Sequence, residues 1–143
     1  MEMIFVGPLS MSGMPELSLD ALLGQELMTF QRGSQPHIAL LDSLRAVGVT
    51  DKRVHCISSI SALVKLVESG FGLATLPKAA AQTLGKGHEI TLLQSELKLS
   101  PLPLYANYWN SFAAPAVENA ITNALEFTRN RSVGSLNRRP GQE

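Results

Sequence analysis

Between residues 27 and 76 one local pattern is written twice and then begun a third time. Residues 27–30 form an apolar run of strand length, closed by the loop Gln31-Arg32-Gly33-Ser34. Ser34 suits a helix N-cap and Pro36 a first turn, and Ile38, Leu40, Leu41, Leu44 and Val47 recur at three- and four-residue spacing until Gly48. The second copy has residues 54–57 as strand, Ser58-Ser59 as cap, Ile60, Leu63, Val64 and Val67 as apolar stripe, and Gly70 as C-cap. Residues 71–76 are then almost wholly apolar, as expected of a strand covered on both faces. Strands alternating with single helices close into a parallel sheet with right-handed crossovers, so the pattern predicts an α/β fold with a βαβαβ core.

The flanking segments are less regular. Residues 3–6 are a short apolar run ended by Gly7-Pro8, and an exposed connection leads on to Pro15. Residues 18–23 read as a short helix with Ser18 as N-cap, and residues 77–84 as another, stopped by Gly85 and Gly87. Residues 89–93 and 102–109 read as strands, the second starting at a sheet edge because it contains Pro103. Residues 115–128 form an amphipathic helix with Val117, Ala120, Ile121, Ala124 and Leu125 on one side. The stretch 129–143, with four arginines among Asn, Ser, Gly and Pro, is expected to be disordered.

Composition narrows the function. The chain has 143 residues, 45% hydrophobic and 17% charged, which fits one globular domain. Twelve basic residues balance twelve acidic ones, so no net field holds a nucleic-acid backbone, and DNA binding by these residues is not expected. Cys56 is the single cysteine, which excludes an internal disulfide and a Cys-rich zinc site and fits a reducing cytoplasm. No segment has the charge pattern of a signal peptide or the roughly 20 apolar residues of a membrane span.

Enzyme chemistry finds little support. His55 and Cys56 are strand neighbours on opposite faces, unable to form a dyad, and Cys56 reads as core filler. His37, His55 and His88 lie in three different elements without metal-ligand spacing, so no metal is expected. Gly70-Phe71-Gly72 lacks the third glycine of a dinucleotide loop, and Gly85-Lys86-Gly87 lacks phosphate-loop spacing; no cofactor and no catalytic residue is expected. What remains is a pair of strand-to-helix junctions, at Gly33-Ser34 and Ser58-Ser59. Two readings stay open for them. The serines cap their helices and do nothing more, or the free N–H groups and helix dipoles form a carboxylate site at the strand ends, where open α/β sheets bind ligands, with Arg32 adding charge.

The stretches 27–34 (LMTFQRGS) and, above all, 60–77 (ISALVKLVESGFGLATLP) resemble the effector-binding domain of LysR-type transcriptional regulators, and the resemblance runs from about residue 3 to about residue 129. It implies a type II periplasmic-binding-protein-like lobe, with crossover strands and a C-terminal helix. Residues 1–19 would then be the end of a first lobe and the outgoing crossover, 20–94 the second lobe, 95–128 the return crossover and terminal helix, and 129–143 the tail. The resemblance further implies a cytoplasmic, non-enzymatic sensor of a small organic anion that self-associates. DNA would be reached only through a helix-turn-helix domain that is not recognisable in these residues, as most of a first lobe is not; this makes the chain a fragment or a decayed copy of a longer regulator. Family roles fall on Gln31, Arg32, Gly33, Ser34, Ser58, Ser59, Ile60, Leu76 and Pro77 as effector-binding positions. The alternatives are a solute-binding or small α/β ligand-binding protein unrelated to transcription. A transport protein of that kind needs a secretory signal, and an α/β enzyme needs a phosphate loop or a nucleophile elbow.

Overall fold

The computed structural model describes residues 1–103, Tyr105 and residues 115–134. The chain divides into two compact units, Met1–Leu104 and Tyr105–Glu143. The first is built on one five-stranded sheet in the order β3-β2-β4-β1-β5, where β1 is Met3–Pro8, β2 Leu27–Thr29, β3 Val54–Cys56, β4 Leu73–Pro77 and β5 Ile90–Leu93. β2 pairs in parallel with β3 and β4, as the repeated strand–helix pattern predicts, while β1 runs antiparallel to both β4 and β5.

β1 thus joins the sheet of residues 27–93 from within the stretch 1–19, which the sequence reading assigns to the end of a first lobe and the outgoing crossover. Met3, Ile4, Phe5 and Val6 are buried on both sides of the sheet. An apolar run without polar alternation cannot lie at a solvent-facing margin, and the gap between β4 and β5 supplies cover for both of its faces. Gly7 permits the fit, since a Cβ there would stand 2.7 Å from a methyl of Leu93. The chain also enters and leaves this unit side by side, because Met1 and Leu102 exchange both backbone hydrogen bonds. Leu102 and Pro103 carry no strand of their own, and residues 104 and 106–109 of the expected return strand lie outside the described residues.

Helices cover both faces of the sheet. On one face α1 (Leu19–Leu23) and α2 (Gln35–Ala46) pack Leu22, Leu40 and Leu44 on Phe5, Leu27, Leu73 and Leu93. On the other, α3 (Ile60–Glu68) and α4 (Lys78–Leu84) pack Leu63, Val64, Val67 and Ala81 on Ile4, Val6, Met28, Ala74, Leu76 and Ile90. The two-residue period of β2 and β4 thus deals alternate side chains to the two layers.

α2 and α3 end in the same way. Gly48 and Gly70 take φ of +82° and +76°. The Val49 N–H donates to Leu44 O and the Phe71 N–H to Leu66 O, each closing a left-handed helix terminus. α3 also ends on Glu68, a carboxylate at the unfavourable end of the helix dipole. Its local partners outweigh the dipole: Lys65 Nζ donates at 2.8 Å, His88 Nδ1 lies at 2.9 Å and the Glu89 N–H donates at 3.1 Å. Lys65 first, then His88, hold the carboxyl at a pKa of about 2 against an ordinary 4.5. A carboxylate whose folded pKa is depressed adds stability above its unfolded pKa and loses it as pH falls through the folded value. Unfolding midpoints should therefore drop between pH 4.5 and about 2, and Glu68→Gln should flatten that part of the profile in a pH series of urea melts. An unchanged acid slope in the variant would contradict the assignment.

In the second unit, α5 spans Pro115–Gly134. It runs six residues past the predicted end at Thr128, into the stretch expected to be disordered. Between Pro115 and Gly134 no glycine or proline interrupts the sequence. Residues 135–143 lie outside the described residues.

Candidate functional site

The connections leaving β2 and β3 put α2 and α3 on opposite faces of the sheet, so the carboxyl ends of these neighbouring strands open between two layers. This is where open α/β sheets leave a crevice. A groove of about 500 Å³ lies here, lined by Gln31, Arg32, Arg53, Val54, His55, Cys56 and Ser58. It runs from the β2–α2 loop along the edge strand β3 to the start of α3.

Of the positions expected from sequence, Gln31, Arg32 and Ser58 line the groove. Gly33 and Ser34 follow in the same turn, where Gly33 has φ of +80° and its N–H donates to His37 Nδ1 at 3.1 Å. Ser59 and Ile60 follow Ser58 at the start of α3. Leu76 and Pro77 are not part of the lining. Strand alternation sends Leu76 into the core beneath α3 and α4, fully buried, and Pro77 is the last residue of β4. In exchange the groove takes Arg53, Val54, His55 and Cys56 from β3 and the residue before it. Cys56 is half-buried at the groove wall, not core filler, because among the described residues β3 is an edge strand, paired with β2 alone.

The two serine junctions differ. Ser59 caps α3, its Oγ accepting from the Ala62 N–H at 3.3 Å. Ser34 occupies the N-cap position of α2 with extended backbone, yet its side chain makes no capping hydrogen bond and its Oγ is buried without a partner. Pro36 removes one of the two N–H groups such a cap would serve. Ser59→Ala should therefore cost about 1 kcal/mol of stability. Ser34→Ala should cost nothing measurable, since a buried hydroxyl without a partner carries its own desolvation penalty. Urea melts of the two variants check this, and equal losses would contradict it.

Charge in the groove is one-sided. Arg32 and Arg53 are exposed, neither makes an ion pair among the described residues, and none of the lining residues is acidic. The carboxylate of Glu26 is engaged by the groove residue His55, whose Nε2 lies at 2.7 Å. That hydrogen bond, with the charges of Lys52, His55 and Arg53, holds Glu26 below the usual carboxylate range against the opposing effect of burial. His55 is in turn fixed by an edge contact with Phe71, at 5.3 Å between ring centres. Thr29, the last residue of β2, and Thr75, in the middle of β4, are both buried, with the Thr75 hydroxyl donating to Thr29 Oγ1 at 2.8 Å. The arrangement provides cationic hydrogen-bond donors, hydroxyls and helix N-termini on a rigid sheet edge, which suits an anion.

Residues 2–128 match the family model of the LysR substrate binding domain. The chain belongs to this family. Solved structures of LysR substrate binding domains and full regulators share the fold. The effector binding domain of QuiR in complex with shikimate is similar at a TM-score of 0.64 and 15% identity, covering 90% of this chain and 62% of that one. The regulatory domain of CcmR from Synechocystis PCC6803, in complex with 2-PG, gives 0.58 at 19% identity, over 68% of this chain and 48% of that one. HinK, a LysR family transcriptional regulator from Pseudomonas aeruginosa, gives 0.55 at 16% identity, over 70% and 35%. The present LysR substrate binding domain thus spans between a third and a half of the latter two chains. No curated protein sequence matches it significantly. The sheet order and opposed helical layers are the periplasmic-binding-protein-like arrangement expected of this family, and the family match argues against the solute-binding and unrelated α/β alternatives. No helix among the described residues is long and apolar enough to cross a membrane.

Proposed function

We propose that this chain is the effector-sensing part of a LysR-type transcriptional regulator, and that it binds a small organic anion, without turnover, in the groove that runs along β3 from the β2–α2 loop to the start of α3. The observation that carries the reading is the groove itself, with Arg32 and Arg53 in its lining, no acid among the lining residues, and the starts of α2 and α3 beside it. The family match supports it, as do neighbours of the same fold whose ligands are small organic acids or their anions: shikimate for QuiR, and benzoate as the effector of BenM. DNA contact belongs to a helix-turn-helix domain elsewhere in the regulator, as the neighbour CbnR complexed with its target DNA suggests by analogy. Self-association and a cytoplasmic location follow from the same reading.

Much of the lining, Gln31, Arg32, Arg53 and Ser58, is exposed, so affinity should be weak. A millimolar dissociation constant corresponds to about 4 kcal/mol. Calorimetric titration with small carboxylates and their neutral amides tests the reading. A carboxylate should bind and its amide should not, and Arg32→Gln should remove most of the difference. Equal binding of acid and amide would overturn the proposal.

A further inference from the structure

The groove is longer than a single carboxylate requires, and its charge comes from two places in the chain. Arg32 follows Thr29, which is in register with Cys56, and Arg53 precedes Val54, which is in register with Leu27. The two arginines therefore leave the β2–β3 pair at opposite ends of a three-residue ladder, about 10 Å long at the usual strand rise. Both line the same groove, with the half-buried Val54 and Cys56 between them and no acidic side chain in the lining. The basic group closest to the middle, His55, is already bound to Glu26 at 2.7 Å. A ligand with one acid group would satisfy one guanidinium and leave the other facing empty groove.

Resting on the anion-binding reading above, we propose that the groove selects an elongated dianion, with an acid group at each end and an apolar middle, and that Arg53 is the residue that reads the second charge. Arg32 and the α2 start take one acid group, and Arg53 takes the other. Val54 and Cys56 pack against the connecting carbons. Glu26 assists by holding His55 out of competition for the ligand, so the second charge is read by the arginine alone.

The probes are α,ω-dicarboxylates of increasing length and the monocarboxylates of equal carbon number, titrated against the parent chain, Arg32→Gln and Arg53→Gln, with amide shifts recorded at residues 31–34 and 53–59. Both side chains are exposed, so neither variant is expected to disturb the fold. Affinity should pass through an optimum with dicarboxylate length, and at that optimum the dicarboxylate should bind about tenfold tighter than its monoacid. Arg53→Gln should abolish that advantage, bringing the dicarboxylate down to the affinity of its monoacid, whereas Arg32→Gln should weaken both. Monoacids that bind as well as dicarboxylates at every length, or an Arg53→Gln chain that keeps the advantage, would overturn the inference and leave the single-anion site standing. If no acid of either kind moves these residues, the anion-binding reading itself fails.

Discussion

Replacing Gly72 by alanine should destabilise the first unit by about 3 kcal/mol, the upper range for forcing extra volume into a packed site. The cause is backbone, not side chain: a Cβ at Gly72 would lie 2.2 Å from the carbonyl oxygen of Glu26, 2.8 Å from its Cβ and 2.9 Å from its carbonyl carbon. That carbonyl cannot withdraw freely, since it accepts the Leu73 N–H at 2.8 Å where β4 begins, and the same residue carries the side chain that fixes His55. Gly70, two residues earlier, is the control. Its φ is +76° but a Cβ there would meet nothing within 4 Å, so Gly70→Ala should cost only the left-handed conformation, about 1 kcal/mol. Urea unfolding of the two variants should show this gap, and equal losses would mean that Glu26 yields easily. The two glycines of the Gly-x-Gly turn are thus required for unlike reasons, one conformational and one steric.

Thr29→Val alone should cost about 1–3 kcal/mol, because the Thr75 hydroxyl loses its acceptor in a buried position, and Thr75→Val should cost a similar amount. The double variant should be close to neutral, since two facing valines leave no polar group without a partner and suit a strand. A double-mutant cycle should therefore give a coupling of about 2–6 kcal/mol, the sum of the two single losses. Additive losses would show that each hydroxyl finds another partner. Thr29 is the last residue of β2 and neither threonine lines the groove, so the double variant should also retain ligand binding if the groove is built by Gln31, Arg32 and β3.

The parallel core was legible because its information is local: caps, helical spacing and left-handed glycines lie within a few residues of the structures they produce. β1 was not, because the same four apolar residues fit any buried strand, and only contacts with residues 73–77 and 90–93 place it antiparallel in the sheet. The site divides along the same line. Arg32 and Ser58 were legible from strand–loop–helix junctions. Arg53, Val54, His55 and Cys56 were not, since they line a groove only because β3 is an edge, and the identity of an edge is a property of the whole sheet. Leu76 is the converse case: it lies close in sequence to a strand end, yet alternation turns it into the core and away from the groove lining. Ser34 carries an N-cap signature in sequence, and only the three-dimensional arrangement shows its hydroxyl buried and without a partner.

The most direct measurement is amide chemical-shift mapping of this chain during titration with a panel of small mono- and dicarboxylates. The account predicts that responsive amides cluster at residues 31–35 and 53–59, around the groove, and that saturation follows the acid and not its amide. Shifts confined to other surfaces, with these two segments unmoved at saturating acid, would contradict it.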